Sequence, residues 1–148
     1  MHPSLVNAVF LIGSHFANAS GDTRYEEFEG HFLQRTREEL EKSLTAADRL
    51  TDFVCATTLL VWYYFAKGRI AEAQYHASGL ACFVGACRMN AIDPNARDYT
   101  LILPPTRDDI ELEERVTLFW SIFILDRYSS LLCNTPSTIR DEVSTILL

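Results

Sequence analysis

Hydrophobic residues recur at helical spacing in five long segments of this 148-residue chain, and this periodicity constrains the fold more than any other feature. The alternation typical of a half-buried strand is scarce, and glycine, proline, asparagine and aspartate interrupt the segments. The pattern predicts a single all-α domain over residues 1–148, a multi-helix bundle with one long buried C-terminal helix. The helices are expected at about 3–17, 24–46, 50–67, 69–90 and 109–133.

The first two segments have separate polar and apolar faces. The second carries several glutamates on its polar side, so we expect it to be half exposed. The apolar run of the first helix is Leu5, Val9, Ile12 and Phe16, and the stripe expected to be buried on the second is Phe28, Phe32, Leu33, Leu40 and Leu44.

The third segment contains the longest apolar run, FVCATTLLVWYYFA, which has 14 residues. A bilayer-spanning helix needs about 20 such residues, so this run predicts a core helix and no membrane association is expected. Gly68 ends the segment, and Ala73, Ala77 and Ala81 follow at a spacing of four. Small side chains on one stripe let two helices approach closely, which predicts a central antiparallel hairpin of the third and fourth helices.

The charge of the chain argues against a nucleic-acid site, and the spacing of its cysteines argues against a zinc site. The net charge is -7 with a pI near 5.0, whereas nucleic-acid binding normally needs clustered lysine and arginine, so we expect no direct DNA contact. Cysteines 55, 82, 87 and 133 lack the paired spacing of a zinc site and are expected to be reduced and buried. We therefore expect no metal or other cofactor within this chain.

No catalytic constellation is recognisable. The histidines at 2, 15, 31 and 76 include no HExxH pair, and no G-x-S-x-G nucleophile motif occurs, so the chain is not expected to be an enzyme. One aromatic cluster has two interpretations, a packed core, which is the commoner role of such residues, or the lining of a small-molecule pocket. Its members are Trp62, Tyr63, Tyr64, Phe119, Trp120 and Phe123.

Asp126 and Arg127 stand next to each other in an apolar helix, FWSIFILDRYSSLL. Adjacent helical positions do not face each other, and the positions three and four residues away carry no charge, so partners must come from other segments. Burying either charge unpaired would cost several kcal/mol. The candidate partners for Arg127 are Asp52, Asp141 and Glu142, and those for Asp126 are Arg69, Arg88 or a backbone or hydroxyl group.

Five short motifs follow one another towards the C-terminus: Glu114-Arg115, Phe119-Trp120, Leu125-Asp126-Arg127, Pro136-Ser137 and Asp141-Glu142. In this order they resemble the signature of the fungal-specific transcription factor domain, the middle region of fungal binuclear zinc-cluster regulators. Upstream, His2-Pro3 with Leu5, Asn7 and Ala8 is similar to the family's opening, and Gly68-Arg69 with Glu72 and Tyr75 to its central hairpin. The stretch Cys133-Asn134-Thr135 stands where members of that family often carry a glycine.

The resemblance implies a regulatory, non-enzymatic segment of a nuclear transcription factor that modulates activity or mediates protein contacts. The six-cysteine zinc cluster and basic linker of the family normally lie N-terminal and are not among these residues. DNA and zinc are therefore expected to bind a module outside them, and the chain is expected to be a fragment of a longer regulator or a truncated one.

Two other functions stay open at this point. The aromatic cluster could form the pocket of a small-molecule effector sensor, which a thermal-shift screen with metabolites would reveal. The helices could also belong to a helical-repeat scaffold for protein interactions, which flanking sequence would reveal as further repeats.

Overall fold

The computed structural model describes residues 1–21, 23–89 and 102–140. These residues form α1 (Pro3–Ala19), α2 (Glu26–Ala46), α3 (Leu50–Ala66), α4 (Ile70–Ala86) and α5 (Asp109–Cys133), with a 3₁₀ turn at Thr23–Tyr25. No strand occurs among the described residues, so the all-α prediction is confirmed. The chain divides into two compact units, Met1–Ala73 and Gln74–Leu148. A single domain, and a hairpin of α3 with α4, stay predictions.

The first helix begins at a histidine cap. The Nδ1 atom of His2 accepts a hydrogen bond from the backbone N–H of Ser4 at 3.2 Å, and Pro3 occupies the first helical position, where its missing N–H costs nothing. The backbone N–H of His2 donates to the Asp52 carboxylate, 2.6 Å away in the first turn of α3. The His-Pro motif therefore starts α1 and ties that start to α3.

The buried faces of α1 and α2 differ from the faces expected from the sequence. Leu40 is buried as expected, but Phe16, Phe28 and Leu44 are each at least half exposed. Small or polar side chains take much of the buried faces instead, together with Leu11 and Leu40. Small side chains let two helices approach closely, so a buried helix face need not follow the largest apolar residues. The buried residues are Ser4, Ala8, Leu11 and Ser14 on α1 and Glu29, Thr36, Leu40 and Ser43 on α2.

Helix α3 is the interior helix of the first unit, as its apolar composition predicts. Nine of its residues are buried, among them Val54, Leu60 and Tyr64. Thr57 and Thr58 are buried too, and each of their hydroxyls is satisfied by donating to a carbonyl one turn earlier. Gly68 ends the helix with a φ of +69°, a conformation that glycine adopts without strain.

A buried carboxylate connects the three helices of the first unit. The side chain of Glu29 on α2 accepts hydrogen bonds from Asn18 of α1 at 2.7 Å and from the Tyr63 hydroxyl of α3 at 2.8 Å. The Lys67 ammonium lies 2.6 Å from it and His15 Nδ1 lies 3.7 Å from it. Burial raises the pKa of Glu29, but the hydrogen bonds from Lys67, Asn18 and Tyr63 outweigh it, so the pKa lies below its ordinary value.

In the second unit, α5 buries one stripe rather than its whole circumference. Its buried residues recur at three- and four-residue intervals, while Ile124 and Leu131 on another face are 60% and 82% exposed. The prediction of a long buried C-terminal helix is therefore not confirmed on this face. The buried stripe consists of Arg115, Leu118, Phe119, Ile122, Leu125, Asp126 and Ser129.

The start of α5 is fixed by polar contacts. The Asp108 side chain caps the helix by accepting from the Glu111 N–H at 2.8 Å. The Arg115 guanidinium donates to Glu111 at 2.7 Å and to the Pro104 carbonyl at 2.9 Å. It therefore holds the segment that precedes α5 against the helix. By length and mean hydropathy α5 would also pass for a membrane span, as core helices often do.

The cysteines do not share one environment. Cys87 is buried, as expected, and burial raises the pKa of its thiol to about 11, which keeps it protonated and unreactive at neutral pH. Cys82 is exposed and Cys55 and Cys133 are partly exposed, so the expectation of four buried cysteines is wrong for these three. Cys82 is the most accessible of them. It lies on α4 one residue after the buried stripe of Ala73, Ala77 and Ala81.

Replacing Glu29 with glutamine should destabilise the chain in a pH-dependent way. Since the folded-state pKa of Glu29 is lowered, its contribution is fully present above the unfolded-state value of about 4.3 and is lost as pH falls through the lower folded-state value. We expect a loss of about 1–3 kcal/mol at neutral pH, because hydrogen bonds to a charged group are removed. Urea unfolding of both proteins from neutral pH down to acid should show the difference shrinking below that value. A difference independent of pH would contradict this role of Glu29.

Candidate functional site

The Asp126 side chain binds the chain segment that follows α5. It is 4% exposed, and its two carboxylate oxygens accept hydrogen bonds from the backbone N–H groups of Thr138 at 3.1 Å and Ile139 at 3.0 Å. A buried carboxylate that accepts two backbone N–H groups is satisfied as an ion and holds both donors in fixed positions. Of the partners expected for Asp126, the structure therefore shows backbone N–H groups.

Arg127 binds the same segment from the neighbouring position. Its guanidinium donates to the Ser137 hydroxyl and, at 2.9 Å, to the Ile139 carbonyl. The cation also lies 4.6 Å from the centre of the Phe123 ring, one turn earlier on α5, within the range of a cation–π interaction. Asp126 and Arg127 thus bind the donors and the acceptors of residues 137–139, and we call this arrangement the Asp-Arg clamp.

The turn between α5 and the clamped segment explains how both side chains reach it. Asn134 ends the helix with a φ of 51°, in the left-handed conformation that glycine favours and asparagine tolerates. The N–H of Thr135 then donates to the Ser130 carbonyl at 3.1 Å. This reversal brings residues 137–139 back beside the last turns of α5.

A second set of hydrogen bonds supports the turn from α4. The Ser129 hydroxyl donates to the Gln74 side-chain carbonyl, and the Gln74 amide donates to the Thr135 hydroxyl at 3.3 Å. The Ser130 hydroxyl donates to the Thr135 carbonyl. Side chains from two helices therefore fix the turn. The side chain of Ile139, at the end of the clamped segment, is buried, with 7% of its surface exposed.

The contacts of the clamp hold a chain segment in place rather than form a reactive centre. Its bonds run from a carboxylate and a guanidinium to backbone groups and a hydroxyl, and all of them hold one segment of three residues. Since the bonds share that segment, loss of one releases constraints on the others. In the described residues, no three histidine, cysteine, aspartate or glutamate side chains converge as metal ligands.

The ion-pair candidates fall in different places. Asp52 lies in the first unit, where it accepts from the His2 N–H, and Asp141 and Glu142 lie outside the described residues. Arg69, proposed as a donor to Asp126, is bonded to Glu72 on its own helix. A carboxylate partner for Arg127 stays a prediction.

The six aromatic candidates are divided between the two units. In the first, Tyr63 and Tyr64 are buried, and the Tyr63 hydroxyl is bonded to Glu29. Burial and that hydrogen bond raise the pKa of Tyr63. In the second, Phe119 is buried against Trp120, with ring centres 5.9 Å apart. The remaining two, Trp62 and Phe123, are partly exposed. A small-molecule pocket lined by all six residues stays a prediction.

Sequence reasoning missed two charged residues that organise the units, Arg115 and Glu29. Arg115 precedes Asp126 by 11 residues, which is close to three helical turns, so the sequence could have placed both on one face. Glu29 carries no comparable signal. It lies among the glutamates of a polar helix, and only its neighbours in space distinguish it.

Asp126→Asn should cost about 1–3 kcal/mol, because asparagine offers one acceptor to two buried N–H donors. Arg127→Met should cost a similar amount, since two hydrogen bonds and the contact with Phe123 are lost. Because both residues bind one segment, we expect the double variant to cost about 1 kcal/mol less than the sum of the single variants. Urea unfolding followed by circular dichroism would measure all three, with Glu113→Gln, an exposed change on α5, as the control. Additive losses, or losses no larger than the control's, would argue against a shared clamp.

Comparison with known proteins identifies the family. The sequence model of the fungal-specific transcription factor domain matches residues 1–148, the whole chain. No curated protein and no solved structure shows significant similarity to this chain. The matched range includes Asp126 and Arg127 of the clamp. The chain therefore belongs to the fungal-specific transcription factor domain family and is a regulatory region of a fungal transcription factor.

Proposed function

We propose that this chain is the non-DNA-contacting regulatory segment of a nuclear zinc-cluster transcription factor. It sets the activity of the regulator through contacts with proteins or with other parts of the same polypeptide. DNA and zinc are bound by a module outside these residues. Family membership supports the regulatory role, and the clamp supports the way in which it is exerted.

The electrostatics of the chain fit contact with protein rather than with DNA. A net charge of -7 repels a phosphate backbone, and the first turns of α2 and α5 add acidic side chains to helix starts that would otherwise attract phosphate. In α2 these are Glu26, Glu27 and Glu29, and in α5 they are Asp109 and Glu111.

The observation that carries the proposal is the Asp-Arg clamp. A regulatory segment needs an element with two discrete arrangements whose balance a partner can shift. Residues 137–139 are held by polar bonds from one pair of side chains, so they are either bound together or released together. Release would cost a few hydrogen bonds and the burial of one apolar side chain, Ile139, rather than the opening of a whole hydrophobic core, which places it within reach of a binding partner.

Variants of the clamp should change transcriptional output without changing promoter binding. In the full-length regulator we expect Asp126→Asn and Arg127→Met to alter reporter expression several-fold, because they release residues 137–139 while leaving the DNA-binding module intact. Reporter activity, promoter occupancy by chromatin immunoprecipitation, and protein abundance would be measured together in the same cells.

Glu113→Gln serves as the matched control, since it changes an exposed charge on the same helix away from the clamp. Output that falls only in proportion to abundance would reduce the clamp to a stability element. Loss of promoter occupancy at normal abundance would overturn the separation between this segment and DNA binding.

A further inference from the structure

An apolar groove lies on the surface of the first unit, where α1 faces the start of α2. It has a volume of about 600 Å³, and its lining includes Phe10, Gly13, Tyr25, Phe28 and Phe32. Every residue that lines it is uncharged. The groove forms where Phe10 of α1 and Phe28 of α2 stay half exposed beside the buried faces of the two helices.

Three phenylalanine rings form an ordered wall of this groove. The rings of Phe10 and Phe32 have centres 5.3 Å apart and planes inclined by 26°, and those of Phe28 and Phe32 have centres 6.4 Å apart and planes inclined by 29°. Phe10 and Phe28, at the two ends of the array, are 53% and 51% exposed. Near-parallel rings with open outer faces can extend their stacking to a further flat group.

Gly13 leaves space in the groove that any other residue would occupy. It lies in the middle of α1, where glycine is less favourable than alanine, and a Cβ atom built on it would meet nothing within 4 Å. The same space surrounds Gly30, Gly79 and Gly85, so the open space alone does not indicate a ligand. What distinguishes Gly13 is its place in the lining of the apolar groove, where that space is available to a ligand.

The size of the groove selects among occupants. Its volume lies within the range of roughly 300–1,000 Å³ typical of small-molecule sites. One turn of an α-helix with its side chains takes up roughly 400–600 Å³, so a docked helix would fit only one turn. Helices that bind in grooves use anchors spread over two turns or more. The uncharged lining disfavours an ionic ligand, because a charge would lose its hydration without gaining a partner.

We propose that the groove between α1 and α2 is a binding site for an uncharged small molecule with a flat aromatic or polycyclic ring system. The ligand stacks on the array of Phe10, Phe28 and Phe32 and lies over Gly13, with the Tyr25 hydroxyl at hand for a polar substituent. The site uses residues of the first unit alone. It goes beyond the proposed regulatory role and stands independently of the clamp.

The test uses N-phenyl-1-naphthylamine, an uncharged aromatic probe whose fluorescence rises in apolar sites, titrated into the full chain. We expect saturable binding at one site per chain. Gly13→Leu should weaken binding about tenfold or more, because the new side chain fills the space of the ligand. Gly30→Leu is the matched control. It also replaces a helical glycine with open space around it, but on a part of α2 that does not line the groove, so binding should be unchanged.

Phe28→Ala provides a second variant whose side chain is half exposed, so weaker probe binding at an unchanged melting temperature would support the stacking site. Equal probe affinity in the unmodified chain, Gly13→Leu and Phe28→Ala would overturn the proposal. So would a stoichiometry of several probes per chain. Size-exclusion chromatography is run on the same proteins, and a dimer that Gly13→Leu dissociates would identify a second copy as the occupant instead.

Discussion

A carboxylate taken out of water has to be satisfied by several donors, and each of the two units is organised around one such group. In the first unit, Glu29 accepts hydrogen bonds from Asn18 of α1 and Tyr63 of α3, and it pairs with Lys67 at the end of α3. In the second, Asp126 collects two backbone N–H groups of the segment that follows α5. Since an unsatisfied charge would cost several kcal/mol, these bonds fix which segments lie together. Apolar packing supplies stability, and the carboxylates supply the specificity of the arrangement.

The helices could be predicted from the sequence because hydrophobic period, proline and glycine are local signals. The first-turn proline at position 3, the stop at Gly68 and the cap at Asp108 each act within a few residues, and the observed helices agree closely with the expected ones. The faces of α1 and α2 were harder to predict. Their packing depends on how closely two backbones approach, and small residues decided that contact over large ones such as Phe28.

The site was predictable in part. Two adjacent charges in an apolar helix require partners from elsewhere, and Asp126 and Arg127 were identified on that ground alone. The identity of the partners was out of reach, because backbone N–H and carbonyl groups occur at nearly every residue and carry no signature in the sequence. The resemblance placed a turn at Cys133-Asn134-Thr135 without fixing its residue, and the left-handed conformation of Asn134 and its effect on residues 137–139 required the structure.

The central claim is that Asp126 holds the segment after α5 through its backbone, and amide hydrogen exchange at Thr138 and Ile139 tests it most directly. Both amides should exchange slowly in the unmodified chain, because their N–H groups are bound to a buried carboxylate. In Asp126→Asn they should exchange about tenfold faster or more, while the amide of Ile122 within α5 keeps its protection. Unprotected amides in the unmodified chain, or the same exchange rates in both proteins, would contradict the account.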